Sequence, residues 1–288
     1  MLAFNHNIIF DHTSKQNYSH AYDNLNIKNI TDIPEFYENI IKYNQNQERD
    51  VFLSTDINFQ NNQENQKWMF KIEDVVTFVW EKDSSTLYYQ LFTYGNNTLL
   101  EYWLLHTVLP IYLIIENKYE LIHAGGVQIE DKPVLFIAPS FGGKSTLTDY
   151  FIQKQHPMVS DDRVALKEEH NQIIAVSSYP YHRPYRKIED LGVYVDNFMQ
   201  GTKPLHCIYA LESVDAKDEI RFHMLKGIEK FKALQYNFDF NLPLNKASSF
   251  KLIGTIASYI PVYKISIPWD LNRLDEVYLA LCEHTSKL

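Results

Sequence analysis

Short apolar runs separated by polar punctuation set the texture of the chain from residue 51 onward. Residues 51–59, 67–72, 75–80 and 86–92 are rich in β-branched and aromatic side chains, which suit a pleated, half-buried surface. Polar stretches at 61–66 and 83–85 divide them. The pattern predicts an antiparallel sheet of three or four strands. The most apolar run, 99–115, then forms the body of a predicted helix over 97–117. It carries Glu101, His106 and Pro110 and falls short of the ~20 residues of a membrane-spanning helix. A buried helix, kinked or interrupted near Pro110, is expected instead.

A second plan begins at residue 119. Strands are predicted at 119–123, 127–130, 133–137, 158–160, 164–167, 173–177, 206–211, 219–224 and 262–267. Helices are predicted at 144–155, 228–236, 247–259 and 271–284. The chain therefore reads as α/β, with a mainly β region with a connecting helix at 1–118 and a mixed strand-and-helix domain at 119–288. Residues 1–50, rich in Asn, His and Tyr, carry little signal of either kind.

Composition narrows the function classes. The 288 residues suffice for one large domain or two modest ones, and 45% hydrophobic residues is a globular value. A formal charge of -9 with no basic block leaves no stripe to displace counterions from nucleic acid, so no nucleic-acid partner is expected. Cys207 and Cys282 have no metal-ligand spacing and are expected as buried apolar fillers in a reducing compartment. The 11 histidines show no zinc spacing. The start of the chain lacks the basic and apolar regions of a secretory signal, so a cytoplasmic protein without membrane attachment is expected. Trp68, Trp80, Trp103 and Trp269 are expected in the core or between domains.

The strongest local signal is Ala138-Pro139-Ser140-Phe141-Gly142-Gly143-Lys144-Ser145, which fits the P-loop pattern with Ala at its first glycine. Small residues let backbone N–H groups turn inward and form an anion nest at a helix N-terminus. Lys144 would neutralise the β- and γ-phosphates of ATP, and the Ser145 hydroxyl would ligate Mg²⁺. The apolar strand Val134-Leu135-Phe136-Ile137 precedes the loop, and Leu147, Phe151 and Ile152 follow at helical spacing. Sixteen residues after Ser145 come Asp161 and Asp162, at the end of a short apolar strand. One carboxylate can hold Mg²⁺ while the other takes a proton from an attacking hydroxyl.

The run His123-Ala124-Gly125-Gly126-Val127, the glycine loop, and Ser160-Asp161-Asp162-Arg163-Val164, in that order, resemble the catalytic domain of bacterial HPr kinase/phosphorylase. They are more similar still to the broader group of HPr-kinase-related kinases, some of which phosphorylate peptides. The match covers residues 120–164 well and the remainder weakly. The resemblance implies a P-loop kinase domain of the phosphoenolpyruvate-carboxykinase type, a mixed β-sheet with helices. It implies that Lys144 and the Gly142 and Gly143 amides hold phosphates, within a nucleotide-binding loop running from Ser140 and Phe141 to Thr146. Ser145 and Asp162 would hold Mg²⁺, Asp161 would be general base, and His123 would stand near the transferring phosphoryl group and tune Asp161. The family commonly has Gly at the place of Phe141. In place of its glycine-containing signature loop stands Tyr179-Pro180-Tyr181-His182-Arg183-Pro184-Tyr185-Arg186-Lys187.

Prolines in that segment could hold Arg183 and Arg186 at fixed places near the γ-phosphate, where arginine stabilises transferred charge. The expected activity is ATP- and Mg²⁺-dependent transfer to a hydroxyl, with a serine of a peptide or small protein as acceptor. The N-terminal sheet could position such a peptide by strand addition. The alternatives are a small-molecule hydroxyl (sugar, amino acid or polyol) and a nucleotide-binding module without transfer.

Overall fold

A computed structural model describes residues 1–12, 21–33, 39–42, 49–59, 63–184, 187–238 and 245–288. The chain is a mixed α/β protein in two units. One comprises Met1–Lys118 with Ile188–Leu191 and Leu242–Lys246; the other comprises Tyr119–Lys187, Gly192–Asn241 and Ala247–Leu288.

In the first unit, β1 (Leu2–Ala3), β2 (His6–Phe10), β3 (Asp23–Asn29), β4 (Asn39–Lys42), β5 (Val51–Thr55), β6 (Lys67–Ile72), β7 (Val76–Glu81) and β8 (Thr86–Leu91) form one sheet. Their order is β1-β2-β3-β8-β7-β6-β5-β4. The run from β5 to β8 is the antiparallel meander expected from the apolar pattern. Strands β2, β3 and β8 pair in parallel, so the sheet is mixed. The first four strands had no legible signal. In β3 only Leu25 and Ile27 turn inward, between Asn and Asp residues that disfavour strands.

The apolar run forms α1 (Asn97–Trp103) and α2 (Leu109–Ile115), joined by a π-helical turn at Leu104–Val108. The Asn96 side chain caps α1 by accepting from the Leu99 N–H at 3.0 Å. The widened turn, closed by Leu109 N–H donating to Leu104 O, seats Pro110 in the first turn of α2, where its missing donor costs little. The helix is thus interrupted near the proline without being broken. By length and composition Asn97–Ile115 could cross a membrane, but 83% of its apolar window is buried inside the protein.

The second unit contains β9 (Glu120–His123), β10 (Gly125–Ile129), β11 (Lys132–Ile137), α3 (Lys144–Gln153), β12 (Met158–Ser160), β13 (Arg163–Glu169), β14 (Gln172–Val176), β15 (Tyr181–His182), β16 (Val193–Tyr194), β17 (Thr202–Pro204), β18 (Cys207–Val214), β19 (Arg221–Met224), α4 (Gly227–Gln235), α5 (Lys246–Tyr259), β20 (Val262–Pro268) and α6 (Leu274–Ser286). A six-stranded sheet runs β12-β10-β11-β18-β20-β19, and a four-stranded sheet runs β17-β14-β13-β9. Alternation along β11 divides the core. Val134 and Phe136 pack toward Phe151 of α3 and Leu281 of α6, whereas Leu135 and Ile137 join a cluster with Val164, Ile173 and Ile256. Burial on both faces is why β11 reads as a continuous apolar run. Cys207 is buried, and burial pushes its thiol up to about 12; Cys282 is only partly buried.

Two crossings between these sheets place the site. The chain leaves the four-stranded sheet after His123 and enters the six-stranded one at Gly125. It returns at Asp161-Asp162, between β12 and β13. Register pairs His123 with Arg163, Gly126 with Ser160 and Gly125 with Phe136. Ala124 N–H donates to Asp162 O at 3.1 Å. The two crossings therefore lie side by side, at the end of the sheet where β11 runs into the glycine loop.

Candidate active site

The loop from Ala138 to Gly143 turns β11 into α3 in six residues. Gly143 takes the left-handed conformation at φ 86° as the helix N-cap, and no side chain caps the helix. The first intrahelical bond is Leu147 N–H to Gly143 O at 3.0 Å. Backbone N–H groups at such a start have no intrahelical partner and face outward with the positive end of the helix dipole. Ala138 is accommodated because a Cβ on Gly142 would come within 2.7 Å of its methyl; glycine at 142 makes room for alanine at 138. Phe141 sits at the tip with φ 63° and 98% exposure. Lys144 is buried, and its ammonium donates back to Ala138 O at 2.6 Å and Pro139 O at 3.3 Å. Ser145 is half-buried and Thr146 exposed on the first turn of the helix.

Gly125 lets β10 approach α3 closely: a Cβ there would meet Thr148 Oγ1 at 2.3 Å. Thr148 is fully buried, so it has little room to yield. Gly125→Ala should cost about 1–3 kcal/mol of stability by overpacking, measured by urea unfolding. A neutral result would mean that the strand and the helix are not held this close.

The acidic pair is shaped by Ser160. Its hydroxyl donates to Arg163 O at 2.6 Å and accepts from Arg163 N–H at 3.1 Å, closing a tight turn around Asp161 and Asp162. Ser178 Oγ donates to Ser160 Oγ at 2.9 Å. The two carboxylates then part ways. Asp162 is half-exposed, with Oδ1 3.3 Å from His123 Nδ1 and Oδ2 3.5 Å from Arg163 Nη1. Asp161 is buried; its Oδ2 accepts from Arg183 N–H at 2.8 Å, and its Oδ1 has no partner among the described residues.

Beside Asp161 stands His182, a residue outside the set expected from sequence. Its Nδ1 lies 3.2 Å from Asp161 Oδ2, close enough for an ion pair although not aligned as a hydrogen bond. Its Nε2 meets Asp149 Oδ1 of α3 at 3.1 Å. One imidazole thus ties the acidic pair to the helix that opens at Lys144. Burial lowers the His182 pKa, but Asp161 and then Asp149 outweigh it and hold the group above its ordinary 6.5. A raised folded-state value contributes stability that is complete below about pH 6.5 and disappears as pH rises through the folded value. His182→Gln should therefore destabilise more at about pH 5.5 than at about pH 9, in thermal melts. A loss independent of pH would contradict the pairing.

Gly192 holds the β15–β16 hairpin that delivers His182. Its φ is 93°, and a Cβ would fall 2.4 Å from His182 O. Arg183 reaches Asp161 through its backbone amide, while its guanidinium Nη2 donates to Lys187 O at 2.8 Å. Arg186 lies outside the described residues. Trp68, Trp80 and Trp103 are buried, but Trp269 is 59% exposed and so is not a core residue. It terminates β20, and its ring lies 3.5 Å from where a Gly143 Cβ would be.

Comparison with known proteins finds a distant likeness. The solved structure of the Hpr(Ser) kinase/phosphatase from Coxiella burnetii is similar to this chain with a TM-score of 0.37 and 20% sequence identity. The likeness covers 58% of this chain and 97% of that one. No protein-family model and no curated protein matches.

The structure thus brings His123, Asp161, Asp162 and the Arg183 backbone to the crossings between the two sheets, at the end where β11 runs into the glycine loop. It pairs His123 with Asp162, and the imidazole next to Asp161 is that of His182. His182 stood in the segment singled out from sequence but ranked below Arg183 and Arg186, because it and Asp149 lie 33 residues apart and meet only through a hairpin of two-residue strands. The proline-flanked Tyr181-His182-Arg183 segment was the one available signal.

Proposed function

We propose that the second unit is an ATP- and Mg²⁺-dependent phosphotransferase that moves the γ-phosphoryl group to a hydroxyl, with a serine of a peptide or small protein as acceptor. One observation carries the reading. An uncapped helix start behind a glycine turn stands at the same sheet end as a buried carboxylate with one oxygen fixed and the other without a partner among the described residues. Buried carboxylate oxygens are normally satisfied, and an exception points to function.

The residues fit the substrates. The amides opening α3 and the Lys144 ammonium are the donors suited to phosphate oxygens, once Lys144 leaves the carbonyls of Ala138 and Pro139. Mg²⁺ bound with ATP requires only one or two carboxylates beside the phosphates, a role we give to Asp162 with the Ser145 hydroxyl. Asp161 is the general base. It accepts the proton of the acceptor O–H as the new O–P bond forms and the bond from the γ-phosphorus to the bridging oxygen breaks, releasing ADP. His182, through its contact with Asp161 Oδ2, positions that carboxylate. ATP as donor accords with a cytoplasmic setting.

The acceptor class is tested by incubating the protein with γ-labelled ATP, Mg²⁺ and cell extract. Label in acid-precipitable material, abolished by EDTA, is expected. Label confined to acid-soluble compounds would move the acceptor to a small-molecule hydroxyl, and no label in either fraction would overturn the assignment.

A further inference from the structure

We infer that the cavity between the glycine loop and Trp269 is a nucleobase pocket, occupied by the purine of the nucleotide whose phosphates lie on α3. The inference rests on the phosphotransferase reading and adds the part of the donor that the loop cannot recognise.

The cavity measures about 230 Å³. It starts at Gly142, Gly143 and Thr146 and runs between Leu211 of β18, Ile267 of β20, Trp269 and Leu271. Its position decides the occupant. One wall is the loop and first helical turn whose amides suit phosphate, so a ligand filling the cavity is continuous with the phosphate site. Its size is below the roughly 300–1,000 Å³ of sites that enclose a whole small molecule, so one end of a ligand enters. The remaining walls are aliphatic and aromatic apart from Ser213 and Asp270, which suits a flat, largely apolar group with a polar edge.

Trp269 and Leu271 supply the second observation. They are 59% and 76% exposed and stand together among the residues lining this cavity. The Trp269 ring approaches the loop at Gly143, one of its two glycines, 3.5 Å from where a Cβ would be. Any side chain at 143 would occupy space between ring and loop. A purine offers the largest π-face among the bases, and stacking on an indole tolerates changes at the base edge.

The test is equilibrium binding of Mg-ATP and of Mg-tripolyphosphate, which carries the phosphates without a base. Base stacking weakens binding by roughly tenfold or more when an aromatic platform is removed. Wild-type protein should bind ATP at least tenfold more tightly than tripolyphosphate. Trp269→Ala should bring ATP to the tripolyphosphate level and leave tripolyphosphate unchanged, and Trp269→Phe should restore most of the preference. Equal affinity of the wild type for both ligands, or a preference untouched by Trp269→Ala, would overturn the base pocket and leave the phosphate loop standing. Binding of neither ligand would remove both.

Discussion

Replacing Lys144 with Ala should weaken Mg-ATP binding roughly 10- to 100-fold, the equivalent of one charge-assisted hydrogen-bond set worth about 1.5–3 kcal/mol. The ammonium is the buried cation of the loop, held by two main-chain carbonyls. Those bonds are replaceable: a phosphate oxygen offers full negative charge where a carbonyl offers a partial one. The free protein therefore keeps the lysine in place with the loop closed on it. The variant leaves two carbonyls without their donor, so some loss of stability accompanies the loss of affinity. A melting curve separates the two, because a folded variant with unchanged affinity would show that the loop does not use its lysine for phosphate.

Asp161→Asn should lower the rate of transfer by about 10²- to 10⁴-fold, the usual contribution of a positioned base, with little change in ATP affinity. The substitution preserves volume and leaves an oxygen able to accept from Arg183 N–H, the bond that orients the side chain. It removes the proton acceptor and the charge that faces His182. A loss confined to ATP affinity would instead give Asp161 a binding role, and the assignment of base and metal carboxylates would have to be exchanged. The partition rests on their surroundings. Asp162 is half-exposed between His123 and Arg163, whereas Asp161 is buried with one oxygen lacking a partner among the described residues.

What the sequence revealed and what it hid follow from the range of the interactions. The β11–loop–α3 unit was legible because every part is local: an apolar strand, glycines at the turn, Lys144 and Ser145 at the helix start, and Leu147 and Phe151 at helical spacing. The meander β5–β8 was legible for the same reason. Strands β2 and β3 were not, because their parallel pairing with each other and with β8 depends on partners far along the chain. The neighbour of Asp161 was also hidden. His182 reaches it only because Gly192 admits the backbone of the hairpin at a distance no side chain would allow. Trp269 does not lie in the core, since hydrophobicity alone does not separate a core residue from an exposed apolar one.

The central claim is that the glycine loop and Asp161 act on the same phosphoryl group. The direct measurement is transfer of label from γ-labelled ATP by wild-type protein, Lys144→Ala and Asp161→Asn, each shown to be folded and each supplied with Mg²⁺ and the same extract. Strong labelling by the wild type and near-background labelling by both variants is the predicted result. Equal labelling by all three proteins would contradict it.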